Sequence, residues 1–233
     1  MTGVWHRDNP GLYQAEKEAV EARCPNLRFV TEGDVVYVRG SFAVMSEGKD
    51  IDRYSVELQL GRDHPKSLPL VREVGGRIPH HSDWHINRHD GTACVLLPDE
   101  RWRLWPPGTP LLDFLRGPLH SFFLAQSLVE MGEPWPFGQW AHGAQGVFQY
   151  YCEILKTTNL RVVTTFLDYI AGKKIKGYWP CPCNSGRRLR DCHFRLVTDL
   201  RGKISRKDAL NSLRALKEAG ASAIETTKPV ARV

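Results

Sequence analysis

Hydrophobic and polar positions change rhythm several times along this chain, and each change marks an element. Asn9-Pro10 opens a helical stretch, with Asn as cap and Pro at the first helical position, where no amide bond is lost. Leu12, Ala15, Ala19 and Ala22 then share one face as far as about Arg23, and Cys24-Pro25-Asn26 stops the helix. Residues 27–31 form a short strand candidate. Residues 35–44 are rich in β-forming side chains and follow the turn Glu32-Gly33-Asp34. Tyr54, Val56, Leu58 and Leu60 alternate with Ser55, Glu57 and Gln59, the period of two of a strand with one buried face. Residues 70–74 supply a fourth run. Neighbouring strands joined by short turns predict an antiparallel meander.

Residues 75–110 have no clear period; they hold Gly75-Gly76, several prolines, four histidines and Cys94. An irregular stretch of that length inside a domain points to function. From 109 to 131 the helical rhythm returns through Leu112, Leu115, Leu119, Phe122, Phe123 and Leu128, with a break expected at Gly117-Pro118. Glu133-Pro134-Trp135-Pro136 ends it. Further helices are predicted at about 143–156 and 159–171, then a linker from Gly172. A last helix is predicted over 205–219, where Ser205 and Asp208 approximate a capping box and Leu210, Leu213 and Leu216 recur every three residues. Helix, strands, long loop and helices in that order predict an α+β fold rather than a doubly wound parallel sheet.

Composition narrows the class. Of 233 residues, 42% are hydrophobic and 25% charged, which excludes a chain disordered throughout. No apolar run reaches about 18 residues, so no membrane span is expected. The first ten residues lack an apolar signal core, and six cysteines without one predict reduced thiols in the cytoplasm, used for metal or catalysis. Charge is uneven: residues 1–172 hold 17 Lys and Arg against 21 Asp and Glu, a net of −4, while 173–233 hold 15 against 5, a net of +10. Such a tail suits an acidic partner or simply a solvated surface.

Two stretches carry candidate chemistry. In the first, Trp84-His85-Ile86-Asn87-Arg88-His89-Asp90-Gly91-Thr92-Ala93-Cys94, a cysteine follows a loop rich in His and Asn. A thiolate is a good nucleophile and thioester carrier, and an Asn amide beside it can stabilise an oxyanion. The bland alternative is a small buried hydrophobe. Two rivals use the same residues: a metal site from His81, His85 and His89, spaced by four, and a Cys94–His85 thiol-protease dyad.

Here the chain resembles the ubiquitin-conjugating enzyme family. Asp63-His64-Pro65-Lys66-Ser67-Leu68-Pro69-Leu70-Val71 is similar to that family's Asp-Tyr-Pro-x-x-Pro-Pro-x-Val turn, His85-Ile86-Asn87 to its His-Pro-Asn, and Gly91-Thr92-Ala93-Cys94 to its Gly-x-x-Cys. Trp102 stands where the family carries a Trp. Ile86 and Leu68 replace prolines, and the Asn-to-Cys spacing is one residue short. The resemblance, over about residues 8–135, implies a UBC-like fold: an N-terminal helix, a four-stranded meander and C-terminal helices. It implies that Cys94 carries a protein C-terminus as a thioester and passes it to an amine, that Asn87 holds the oxyanion, and that His85 braces the loop. The passenger would be a ubiquitin-like protein or a cGAS-like nucleotidyltransferase, charged by an upstream activating enzyme, as in bacterial antiphage operons. An acidic residue near the cysteine can serve such enzymes, but neither Asp99 nor Glu100 aligns, and both stay outside the catalytic set.

The second stretch holds Cys181, Cys183, Cys192 and His193 within thirteen residues, spaced Cys-x-Cys-x8-Cys-His. Three thiols and one imidazole match a closed structural zinc site. Asn184-Ser185-Gly186 supplies the turn. The stretch resembles the SEC-C motif, named for the C-terminus of the SecA translocation ATPase, with Asn184 in place of its first Gly. Cys24 and Cys152 read as buried hydrophobes.

The predicted organisation is a ubiquitin-conjugating-like domain over 1–140, a helical extension over 141–172, a zinc knuckle over 173–197 and a basic helical tail over 198–233. Two other classes remain: a catalytically weak binding module of the same fold that docks through the basic zinc tail, and a nucleic-acid binder. The second has few aromatic residues after Trp179 on which bases could stack.

Overall fold

The computed structural model describes residues 3–136, 140–220 and Ile224. The chain is α+β and divides into two compact units, Met1–Leu96 with Arg103–Phe137, and Leu97–Trp102 with Gly138–Val233.

The first unit begins with a single turn, α1 (Trp5–Asp8), and the expected helix α2 (Pro10–Arg23), whose Asn9 cap accepts a hydrogen bond from Leu12 N–H at 3.0 Å. Four strands follow: β1 (Leu27–Glu32), β2 (Val35–Ser46), β3 (Lys49–Leu60) and β4 (Leu70–Glu73). They form one antiparallel sheet in chain order. Phe29, Val38, Leu58 and Val71 pair in a row across all four strands, and all are buried. Such cross-strand rows fix the register, because a slip of one residue would turn the row outward. Gly40 is required where it stands, since a Cβ there would lie 1.9 Å from the Asn26 carbonyl oxygen. The β2–β3 hairpin runs further than the hydrophobic pattern shows. Glu47 and Gly48 both take positive φ, as a two-residue hairpin turn needs, and Lys49, Asp50, Asp52 and Arg53 continue the ladder.

After the irregular stretch and a short helical turn, α3 (Arg101–Leu104), comes α4 (Leu111–Phe114), a wide π turn over Leu115–Leu119, and α5 (His120–Glu130). The break expected at Gly117-Pro118 is absorbed by that turn, which accommodates the missing proline N–H without ending the helix. Phe114, Leu115, Leu119 and Phe123 therefore stay on one buried face, and Phe123 stacks on Tyr54 at 4.6 Å.

The second unit contains α6 (Gly143–Leu155), α7 (Leu160–Ala171), the Cys/His stretch, α8 (Phe194–Lys203) and α9 (Arg206–Ala219). Asn159 caps α7 and Ser205 caps α9, the latter accepting from Asp208 N–H at 3.0 Å. Helix α8 was not expected from the pattern. Val163, Phe166, Leu167, Cys181, Leu189, Val197, Leu200, Leu213 and Leu216 share one core. The stretches read from sequence as extension, knuckle and tail thus pack together as far as residue 220; beyond it only Ile224 is described. Part of the basic charge is structural. Arg201 donates to the carbonyls of Tyr169, Ile170 and Gly172, and Arg206 to that of Ala171, capping the end of α7. Among the described residues, no helix is long and apolar enough to cross a membrane.

Candidate functional site

His85, Asn87 and Cys94 lie in one narrow hairpin. Ile86 pairs with Ala93, Cys94 N–H donates to the His85 carbonyl at 2.7 Å, and Asn87 N–H donates to that of Thr92 at 2.8 Å. Ile86 is buried and Ala93 packs against the core, so the alternation of a strand turns Asn87 and Cys94 outward, and both are exposed. The hairpin is fastened to β4: Ala93 N–H donates to the Val71 carbonyl at 2.8 Å, and Arg72 donates to that of Asp90 at 3.2 Å. Gly91, at φ 67, lets the turn lie on the His80 ring, which a Cβ would meet at 2.7 Å. Ile86 N–H donates to the His81 carbonyl at 3.3 Å, a bond that a proline at this position could not make.

The three side chains differ in what they offer. Asn87 Oδ1 accepts from His89 N–H at 3.1 Å, and among the described residues its NH2 donor has no partner. His85 is buried at a left-handed backbone position, with its ring 4.3 Å from Trp135. Cys94 presents an open surface, yet the protein packed round its sulfur desolvates the thiolate and raises the thiol above its ordinary range; the Asp90 carboxylate adds to this. At neutral pH the thiol is held protonated, and a reaction through it must remove that proton.

Asp99 and Glu100 are turned into the second unit. The Asp99 carboxylate accepts from Tyr151 Oη at 2.5 Å and Ser212 Oγ at 2.7 Å, and Glu100 accepts from Trp140 Nε1 at 2.7 Å. Burial raises the Asp99 carboxyl despite the two hydroxyl donors. Both acids are buried and engaged within the second unit rather than presented at the 85–94 hairpin. Trp102 donates to Tyr150 Oη at 3.1 Å.

The second constellation does converge. The ligand atoms of Cys181, Cys183, Cys192 and His193 all lie within 4.8 Å of one another, and this is the one such Cys/His/Asp/Glu group among the described residues. His81, His85 and His89 form none. Cys183 Sγ lies 3.4 Å from Cys181 Sγ and 3.6 Å from Cys192 Sγ, while His193 Nδ1 lies 3.2 Å from Cys181 Sγ and 3.1 Å from Cys192 Sγ. Tetrahedral zinc with bonds near 2.3 Å sets its sulfurs roughly 3.7 Å apart, so the donor set and its spacing are consistent with zinc.

A small hairpin holds this set. Cys181 N–H donates to the Arg187 carbonyl at 2.9 Å and Leu189 N–H to that of Trp179 at 2.7 Å. Asn184 stands at φ 60 and Gly186 at φ 72. Asn is among the side chains best tolerated in the left-handed region, which accounts for Asn184 in a Gly position. Around the ligands, Arg187 donates to Cys192 Sγ at 3.1 Å, Ser185 Oγ lies 3.2 Å from Cys183 Sγ, and the Phe166 ring meets His193 edge-on at 5.5 Å. Burial raises the Cys181 thiol. At Cys183 burial acts the same way, but hydrogen bonds from Ser185 and from the other two thiols outweigh it and lower the pKa.

The SEC-C motif model matches residues 180–195. That span holds all four ligands and leaves the rest of the chain outside it. No curated protein and no solved structure matches the chain.

Proposed function

We propose that this chain is an acyl carrier of the ubiquitin-conjugating type, with Cys94 as the thioester nucleophile. The observation that carries the reading is the hairpin 85–94, fastened to the edge strand β4 of a four-stranded meander, which turns Cys94 and Asn87 outward and exposes both. In the first step the Cys94 sulfur attacks the activated C-terminal carbonyl of a passenger held by an activating enzyme. A C–S bond forms, and the enzyme's leaving group departs with the proton of the thiol. In the second an amine attacks that carbonyl, a C–N bond forms, and the Cys94 thiol is regenerated. Asn87 NH2 faces outward to donate to the oxyanion at both steps. His85 acts by holding the loop against Trp135.

The passengers that fit the resemblance are a ubiquitin-like protein or a cGAS-like nucleotidyltransferase, in bacterial antiphage defence within the cytoplasm. Cys181, Cys183, Cys192 and His193 would hold a structural zinc ion. Four protein ligands leave no open position for substrate, so its contribution is folding energy.

A second reading, a docking module of the same fold with little chemistry, is favoured by the raised Cys94 thiol. Trapping separates the two. Co-expressed with its neighbouring genes, wild type should carry a thiol-labile adduct, Cys94→Ser a thiol-stable ester of the same passenger, and Cys94→Ala none. An adduct that persists in Cys94→Ala, or none on wild type with the partners present, selects the docking module.

A further inference from the structure

Leu97–Trp102 begins three residues after Cys94 and belongs to the second unit, whereas the chain on either side belongs to the first. The second unit grips it through Asp99, Glu100 and Trp102. Tyr151 and Ser212 hold the Asp99 carboxylate, and Tyr150 Oη donates to the Asp99 carbonyl at 2.8 Å. Trp140 holds Glu100, Tyr150 holds the Trp102 indole, and the Lys203 ammonium lies 4.2 Å over the Trp102 ring. Asp99, Tyr151 and Ser212 are all buried. A buried carboxylate with two hydroxyl donors is costly to pull out, because both donors and the acid lose their partners.

The gripping residues come from α6, α8, α9 and, with Trp140, the segment just before α6. Helix α8 starts directly after the ligand His193 and ends at Lys203, and Cys181 and Leu189 of the Cys/His hairpin sit in the same core as Val197, Leu213 and Leu216. A hairpin that stays closed therefore holds the helices that hold Asp99.

We propose that the C-terminal unit sets the accessibility of the Cys94 thiol by clamping Leu97–Trp102, with Asp99 as the clamped residue and the Cys/His hairpin as the element that keeps the clamp closed. Only Val95 and Leu96 separate Cys94 from the clamped segment, and both pack against the first unit's core, so a displacement of 97–102 reaches the thiol by loosening that packing. Releasing the segment frees the downstream half of the 85–94 hairpin to open locally. Accessory metal motifs of this kind are usually read as docking elements; here the same motif would also govern the nucleophile. The inference stands whether or not Cys94 carries an acyl group.

The test is the rate at which iodoacetamide labels Cys94 in the full chain, read by peptide mass spectrometry. Cys24, in the first unit, is the internal control. Two perturbations are compared: removal of metal by a chelator, and the double variant Ser212→Ala with Tyr151→Phe, which loosens Asp99 and leaves all four ligands intact. Each should raise the Cys94 rate by about threefold or more, with Cys24 unchanged and amide exchange over residues 97–102 accelerated. An unchanged Cys94 rate while those amides exchange faster overturns the proposal. Undiminished protection of 97–102 in the double variant overturns the assignment of Asp99 as the clamp.

Discussion

The two cysteine sites set opposite conditions on the same side chain. Cys94 is a lone, exposed thiol on a hairpin that flanks the sheet, outside its core cluster. Cys181, Cys183 and Cys192 are crowded within 4.8 Å of one another and of His193, part of a core that includes Cys181 itself. Desolvation and the Asp90 carboxylate raise the lone thiol, whereas in the cluster hydrogen bonds within the hairpin lower the Cys183 thiol. The two sites differ in their neighbours: Cys181, Cys183 and Cys192 have ligand-spaced donors, whereas Cys94 has an outward amide on its own hairpin and an exposed surface.

The largest expected effect sharpens that contrast. Cys192→Ser removes one of four ligands and should abolish stoichiometric zinc and cost several kcal/mol in the second unit. Hydrogen exchange should then show loss of protection in α7 and α9 while the β2–β3 amides keep theirs. Equal loss in both units would break the division.

A smaller effect belongs to the first unit alone. The Arg77 guanidinium, 2.6 Å away, holds the Asp52 carboxyl down at about 2, against desolvation and with help from Ser127. The folded state therefore binds fewer protons than the unfolded chain between these values. The stabilisation is present above the ordinary carboxylate value of 3.8 and is lost as pH falls through about 2. Asp52→Asn should lower stability by about 1–2 kcal/mol at pH 7, with the difference from wild type vanishing near pH 2 in denaturant titrations. A difference that does not change with pH would show that the pair contributes by packing alone.

Much of this was legible along the chain. Asn9-Pro10, the alternation from Tyr54 to Leu60 and the Ser205 cap are local signals, and each marks its element within a few residues. The Cys/His set was legible because all its ligands are close in sequence. Helix α8 was missed although Val197, Leu200 and Ile204 recur at helical spacing, since the knuckle next to it drew the boundary. Gly117-Pro118 looked like a stop because a proline's missing N–H says nothing about a π turn that can absorb it. The burial of Asp99 and Glu100 left no pattern at all. Two adjacent acids after Pro98 carry no sign of burial in the sequence, because the groups that hold them, Trp140, Tyr151 and Ser212, lie far along the chain.

The most direct measurement is the intact mass of the wild-type chain co-expressed with its neighbouring genes, recorded under native and denaturing conditions, with and without a thiol reductant. One zinc ion should be present natively and lost on denaturation. A protein adduct should survive denaturation, map to the Cys94 peptide and disappear with the thiol. An adduct on Cys181, Cys183 or Cys192, or a Cys94 that stays unmodified while the neighbouring proteins are abundant, would contradict the assignment of Cys94 as carrier.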